Sequence, residues 1–89
     1  MDSPVPKILI VDDDAGVRMS LTRTLKARGY ETSVMASGAE ALAFIKEERV
    51  NLALIDIRLP DISGLEILKA LRKINENSAV IMMTAYASL

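Results

Sequence analysis

An open α/β fold, with a parallel four-stranded sheet in the order 2-1-3-4, is predicted by three features of this 89-residue chain. Short β-branched apolar runs alternate with segments of helical period, as in strand–helix–strand units. The runs Ile8–Val11 and Leu52–Ile55 are apolar at every position, as strands are when both faces of their sheet are covered. Right-handed crossovers then place strands one and three in the middle and strand two at an edge.

The elements follow in order. After Ile8–Val11, the segment from Ala15 to Arg28 carries Val17, Leu21 and Leu25 at helical spacing, and Gly29 stands as its C-terminal stop. The second strand, Tyr30 to Ala36, mixes Glu31, Thr32 and Ser33 with Val34 and Met35, which suits an outer edge. Ser37-Gly-Ala-Glu40 has the form of a capping box and opens a second helix to about Arg49. After Leu52–Ile55, a third helix follows Pro60–Gly64, with Leu65, Leu68, Leu71 and Ile74 as its core stripe, and ends in the turn Asn75–Ser78. The run Ala79–Met83 is the fourth strand and, like the first and third, is apolar throughout.

Composition limits the chemistry. With 51% hydrophobic, 26% charged and 3% aromatic residues, the chain is too apolar for disorder and is read as one globular domain, residues 1–89. Eleven Lys and Arg against 12 Asp and Glu give a net charge of −1, so this segment offers no broad basic field for nucleic acid or an anionic membrane. The amino terminus has no apolar signal region, and runs such as Ala41–Ile45 are far shorter than the roughly twenty residues of a membrane helix. A cytoplasmic location is expected. Cys and His are both absent, which removes disulfides, the usual transition-metal ligands and the commonest general base. Carboxylate and hydroxyl oxygens remain.

Those oxygens fall in a pattern. Asp12, Asp13 and Asp14 follow the first strand and Asp56 follows the third. If these strands are neighbours about 4.8 Å apart, the side chains converge where the winding reverses, the place in open α/β sheets at which ligands bind. Two carboxylates about 4 Å apart repel by roughly 4 kcal/mol at an effective dielectric of 20, so a cation is called for. With oxygen ligands alone the fitting ion is Mg2+ or Mn2+, in a site suited to phosphoryl groups. A purely structural reading makes the Asp triplet an N-cap and acidic first turn, and Asp14 is assigned that cap. Thr84 ends the fourth strand at the same sheet edge. Pro60 and Gly64 shape the adjoining loop.

Taken together, Lys7-Ile-Leu-Ile-Val-Asp-Asp-Asp14, Asp56-Ile-Arg-Leu-Pro-Asp-Ile-Ser-Gly64 and Val80-Ile-Met-Met-Thr-Ala85 resemble the receiver domain of two-component response regulators, over nearly the whole chain. The triple Asp and the stretch to Tyr86 look most like receivers of sigma-54-dependent activators. The resemblance implies a flavodoxin-like, CheY-like fold in which Asp56 is the phospho-acceptor. It also implies that Asp12, Asp13, Asp56 and the Arg58 carbonyl hold Mg2+, that Thr84 is the switch hydroxyl, and that Tyr86 tunes hydrolysis of the phosphoryl group. A sensor histidine kinase and the chain's own output domain, transcriptional in kind, are the implied partners. The domain would catalyse only its own phosphorylation and dephosphorylation.

Family receivers continue through a fourth helix, a fifth strand, which begins after a Lys that pairs with the phosphoryl group, and a fifth helix. This sequence ends before them, so a fragment of a longer regulator is expected, or a chain that pairs its fourth strand in a homodimer. Two other readings stand beside this one. A pseudo-receiver would dimerise without phosphotransfer, and a haloacid-dehalogenase-like phosphatase would use Asp12 as nucleophile and Asp14 as acid/base.

Overall fold

A computed structural model describes residues 5–84. Every second residue of a strand points to the same side of its sheet, and the two sides of this one are filled differently. The strands β1 (Lys7–Val11), β2 (Glu31–Met35), β3 (Leu52–Asp56) and β4 (Ala79–Met83) alternate with helices α1 (Ala15–Ala27), α2 (Gly38–Glu47) and α3 (Gly64–Ile74). All neighbouring strands are parallel, in the order β2-β1-β3-β4 predicted from the crossovers.

Leu9 and Val11 of β1 and Ala53 and Ile55 of β3 point to one side, where they are buried with Ala41 and Ile45 of α2 and Ile67 and Leu71 of α3. Ile8, Ile10 and Leu54 point to the other side and meet Leu21 and Leu25 of α1. Each fully buried Leu or Ile contributes about 1.5–3 kcal/mol, so the two-helix side supplies most of the apolar stabilisation. Helix α1, the one helix on its side among the described residues, has no buried residue.

The helix ends follow local chemistry. Asp14 caps α1 by accepting from Gly16 N at 2.8 Å and Val17 N at 3.2 Å. Gly29, at φ 88°, turns the chain just beyond it in the left-handed region that glycine enters without a Cβ clash. Ser37 caps α2 through Glu40 N, but the expected box closes differently, because the Glu40 carboxylate takes the Ser37 hydroxyl. Helix α2 ends at Glu47, two residues before the expected Arg49.

The expected core stripe of α3 needs correction. In α3 the predicted stripe Leu65, Leu68, Leu71 and Ile74 is the buried face only in part: Leu71 is buried, but Leu65 is 47% and Ile74 52% exposed. A repeat of three falls about 60° short of a full turn at each step, so four such residues fan over half the helix. The buried line is Gly64, Ile67 and Leu71, which stays on one side. As the 2-1-3-4 order expects, β4, apolar on both faces, is the outer strand next to β3 among the described residues, with Ile81 53% exposed.

Candidate functional site at the carboxyl ends of β1 and β3

Val11 pairs with Ile55 in the central ladder, so Asp12 and Asp56 leave the two strands side by side. Helix α1 crosses one side of the sheet and α2 and α3 the other, and the crevice between β1 and β3 opens where these directions part. Carboxylate oxygens of Asp12, Asp13 and Asp56 lie within 4.8 Å of one another. They line a cleft of about 750 Å³ walled by Val17, Leu59, Pro60 and Met83, with Arg58 and Thr84 also on its surface. The expected convergence of Asp12, Asp13 and Asp56 is therefore present, and Thr84 shares the cleft.

The three acids stand in different surroundings. Asp12 is buried at 7% exposure, Asp56 half-buried and Asp13 exposed. Burial pushes the Asp12 carboxyl above its ordinary value of 3.8; the Asp14 N–H bond opposes this, and the charges of Asp56, Asp13 and Asp14 add to the rise. That N–H donates to Asp12 Oδ1 at 2.9 Å, and Arg18 Nη1 donates to the Asp12 carbonyl at 2.7 Å. Asp56 Oδ1 accepts from Arg58 N at 3.0 Å. Like charges gathered on oxygen donors fit a small hard divalent ion.

The loop after β3 is shaped by Gly64. A Cβ there would stand 2.1 Å from the Asp56 carbonyl oxygen, so only glycine lets α3 start against the end of β3. Gly64 N donates to the Ile57 carbonyl at 2.8 Å, and Arg58 and Ser63 form an antiparallel bridge across the loop. Pro60 lies on the cleft wall, whereas Gly64 acts through the backbone. On the far wall, Ile57 N donates to the Met83 carbonyl at 3.0 Å, which brings the end of β4 and Thr84 alongside. Tyr86 lies outside the described residues. Arg18 and Asp61 escaped the sequence reading. Both bind backbone groups of other segments, and only the i, i+4 step from Asp14 to Arg18 hinted at the first.

A parallel α/β sheet carrying an acidic cluster at its winding reversal is the class of protein that this geometry defines. The response regulator receiver domain family matches residues 8–89, and the chain belongs to that family. It is 46% identical over 83 residues to sporulation initiation phosphotransferase F of Bacillus subtilis, covering 93% of this chain and 67% of that protein. It is 36% identical over 85 residues to the DNA-binding response regulator MtrA of Mycobacterium tuberculosis, where 96% of this chain covers only 37% of the relative. A CheY-like receiver domain protein of Methanospirillum hungatei superimposes with a TM-score of 0.91 at 44% identity, over 97% of this chain and 69% of that one. The response regulator TrrA of Thermotoga maritima, solved with Mg2+ and BeF, gives 0.86 at 36% identity over 93% and 72%. TrrA has also been solved in complex with the histidine kinase ThkA.

Proposed function

We propose that this chain, residues 1–89 as a receiver unit, accepts a phosphoryl group on Asp56 from a sensor histidine kinase. The observation that carries the reading is the meeting of Asp12, Asp13 and Asp56 oxygens within 4.8 Å at the β1/β3 crevice. Asp12, Asp13, Asp56 and the Arg58 carbonyl would hold Mg2+ or Mn2+, and Thr84 would bind the phosphoryl oxygens as the switch hydroxyl. The donor set supports this, being made of oxygens alone, with one carboxyl already destabilised as an anion by burial. A bound divalent ion supplies electrostatic neutralisation of the phosphoryl oxygens.

Each residue then has a defined task. An Asp56 carboxylate oxygen attacks phosphorus in line; the new oxygen–phosphorus bond forms as the bond to the donor imidazole nitrogen breaks, and the electron pair leaves with the imidazole. The Arg58 N–H keeps the second carboxylate oxygen turned aside. Asp12 and Asp13 do no covalent chemistry. The acyl phosphate adds a charge of about −1.5 to −2, enough to recruit Thr84 and alter the nearby surface. Asp14 is occupied in capping α1, which leaves the phosphatase alternative without its acid/base.

The kinase partner is supported by the TrrA–ThkA complex, and an output domain of the chain's own, transcriptional in kind, by the DNA-binding relatives. A cytoplasmic place fits these partners, and no helix among the described residues is long and apolar enough to cross a membrane. Contact with nucleic acid is assigned to the output domain, and pairing of two chains to the edge of β4.

Incubation with acetyl phosphate and Mg2+, followed by intact mass and peptide mapping, tests the assignment. One phosphoryl group on Asp56, absent in Asp56→Asn, is the expected result. Modification at Asp12, or none with Mg2+ present, contradicts it.

A further inference from the structure

The loop of residues 57–63 touches the site at one end and helix α2 at its tip. At the site end, Arg58 N holds Asp56 Oδ1 at 3.0 Å, so the loop backbone orients the acceptor carboxylate. At the tip, Asp61 Oδ1 accepts from Gly38 N and Oδ2 from Ala39 N, each at 2.8 Å. These N–H groups belong to the first turn of α2 and have no partner inside the helix. Ile62 packs against the same turn so closely that a Cβ on Gly38 would fall 2.2 Å from Ile62 Cγ1.

A cap for α2 is one use of Asp61, but the helix already has one in Ser37, which accepts from Glu40 N. What Asp61 adds is a two-pronged tie between segments 23 and 22 residues apart. Only two residues, Leu59 and Pro60, separate it from Arg58, and the fixed φ of Pro60 stiffens the connection. With the Arg58–Ser63 bridge closing its base, the loop is held at both ends, and at the tip the side chain of Asp61 supplies the hydrogen bonds beside the packing of Ile62.

We propose that Asp61 is a positioning residue for phosphorylation: bound to the first turn of α2, it fixes loop 57–63 so that the Arg58 N–H stays on Asp56 Oδ1. The inference rests on reading Asp56 as the acceptor. Displacement of that N–H frees the carboxylate to rotate, and both Mg2+ affinity and the rate of phosphoryl transfer fall.

Asp61→Ala and the shape-keeping Asp61→Asn test this in the whole chain, with circular dichroism confirming the fold and Asp61→Asn carrying the comparison should the alanine variant not fold. Mg2+ is titrated by calorimetry, phosphorylation by acetyl phosphate is timed by intact mass, and amide exchange is followed by NMR. Loss of an outer partner of a metal site costs about 10–100-fold in affinity, and a residue one step further out is expected at the low end, about tenfold for Asp61→Ala. Asp61→Asn, which keeps one acceptor oxygen, falls between. The Arg58 amide exchanges faster along with Gly38 and Ala39. Wild-type affinity and rate in a folded Asp61→Ala chain, with faster exchange confined to Gly38 and Ala39, overturn the inference and leave Asp61 a helix cap. A wild-type chain that neither binds Mg2+ nor is modified at Asp56 overturns the reading of the site, and this inference with it.

Discussion

Asp12 is the one buried carboxylate among the described residues, and it faces three other acids across the head of the sheet. Unfolded, it loses its proton near 3.8; folded, it does so at a higher pH. Between those values the folded state holds more protons, so without metal its contribution to stability falls as pH rises through the window and levels off above it. Asp12→Asn has no proton to lose. Thermal unfolding of both chains in metal-free buffer, from about pH 3.5 to 7, is expected to show the wild type losing ground to the variant as pH rises. A difference independent of pH would contradict this account of Asp12. At this scale the sequence announced the acids themselves, because each follows an apolar strand run. Arg18 and Asp61 were hidden, since their partners are backbone groups: a carbonyl six residues away and the first turn of a helix 22 to 23 residues away.

Helix α1 rests on the sheet with a thinner apolar seam than α2 and α3. Thr32 of β2 pairs in register with Ile8 and so faces α1, and its hydroxyl is buried with no hydrogen-bond partner. An orphaned buried hydroxyl costs about 1–3 kcal/mol, whereas Val fills the same shape with a methyl group. Urea unfolding of Thr32→Val is expected to show a gain of about 1 kcal/mol. A loss would mean that the hydroxyl is satisfied in solution. Element order and strand pairing were legible because apolar runs and helical periods alternate cleanly. The buried face of α3 was legible only at Leu71, because Leu65, Leu68, Leu71 and Ile74 repeat every three residues while the helix turns every 3.6. Ile67, off that stripe, proved to be fully buried. Gly64 read as a loop residue, and its need to lie against the Asp56 carbonyl emerged only with the fold.

Across the whole molecule the sheet is covered unevenly. On the α1 side, Ile81 of β4 is paired in register with Leu54 and is 53% exposed, and the outer edge of β4 has no neighbour among the described strands. An open apolar strand edge is a template for another chain, and a charge on it discourages pairing. Sedimentation of this chain is expected to depend on concentration, and Ile81→Lys to give a monomer; a wild-type monomer at every concentration would contradict pairing through β4. The 2-1-3-4 order was legible from crossover handedness, and with it the place where the acids meet, since β1 and β3 become neighbours only in that topology. The most direct measurement of the central claim is calorimetric titration of the chain with Mg2+ at neutral pH. One ion per chain, with binding lost in Asp13→Asn and in Asp12→Ala, is the predicted result. No binding, or binding indifferent to both substitutions, would contradict a cation site built from Asp12, Asp13 and Asp56.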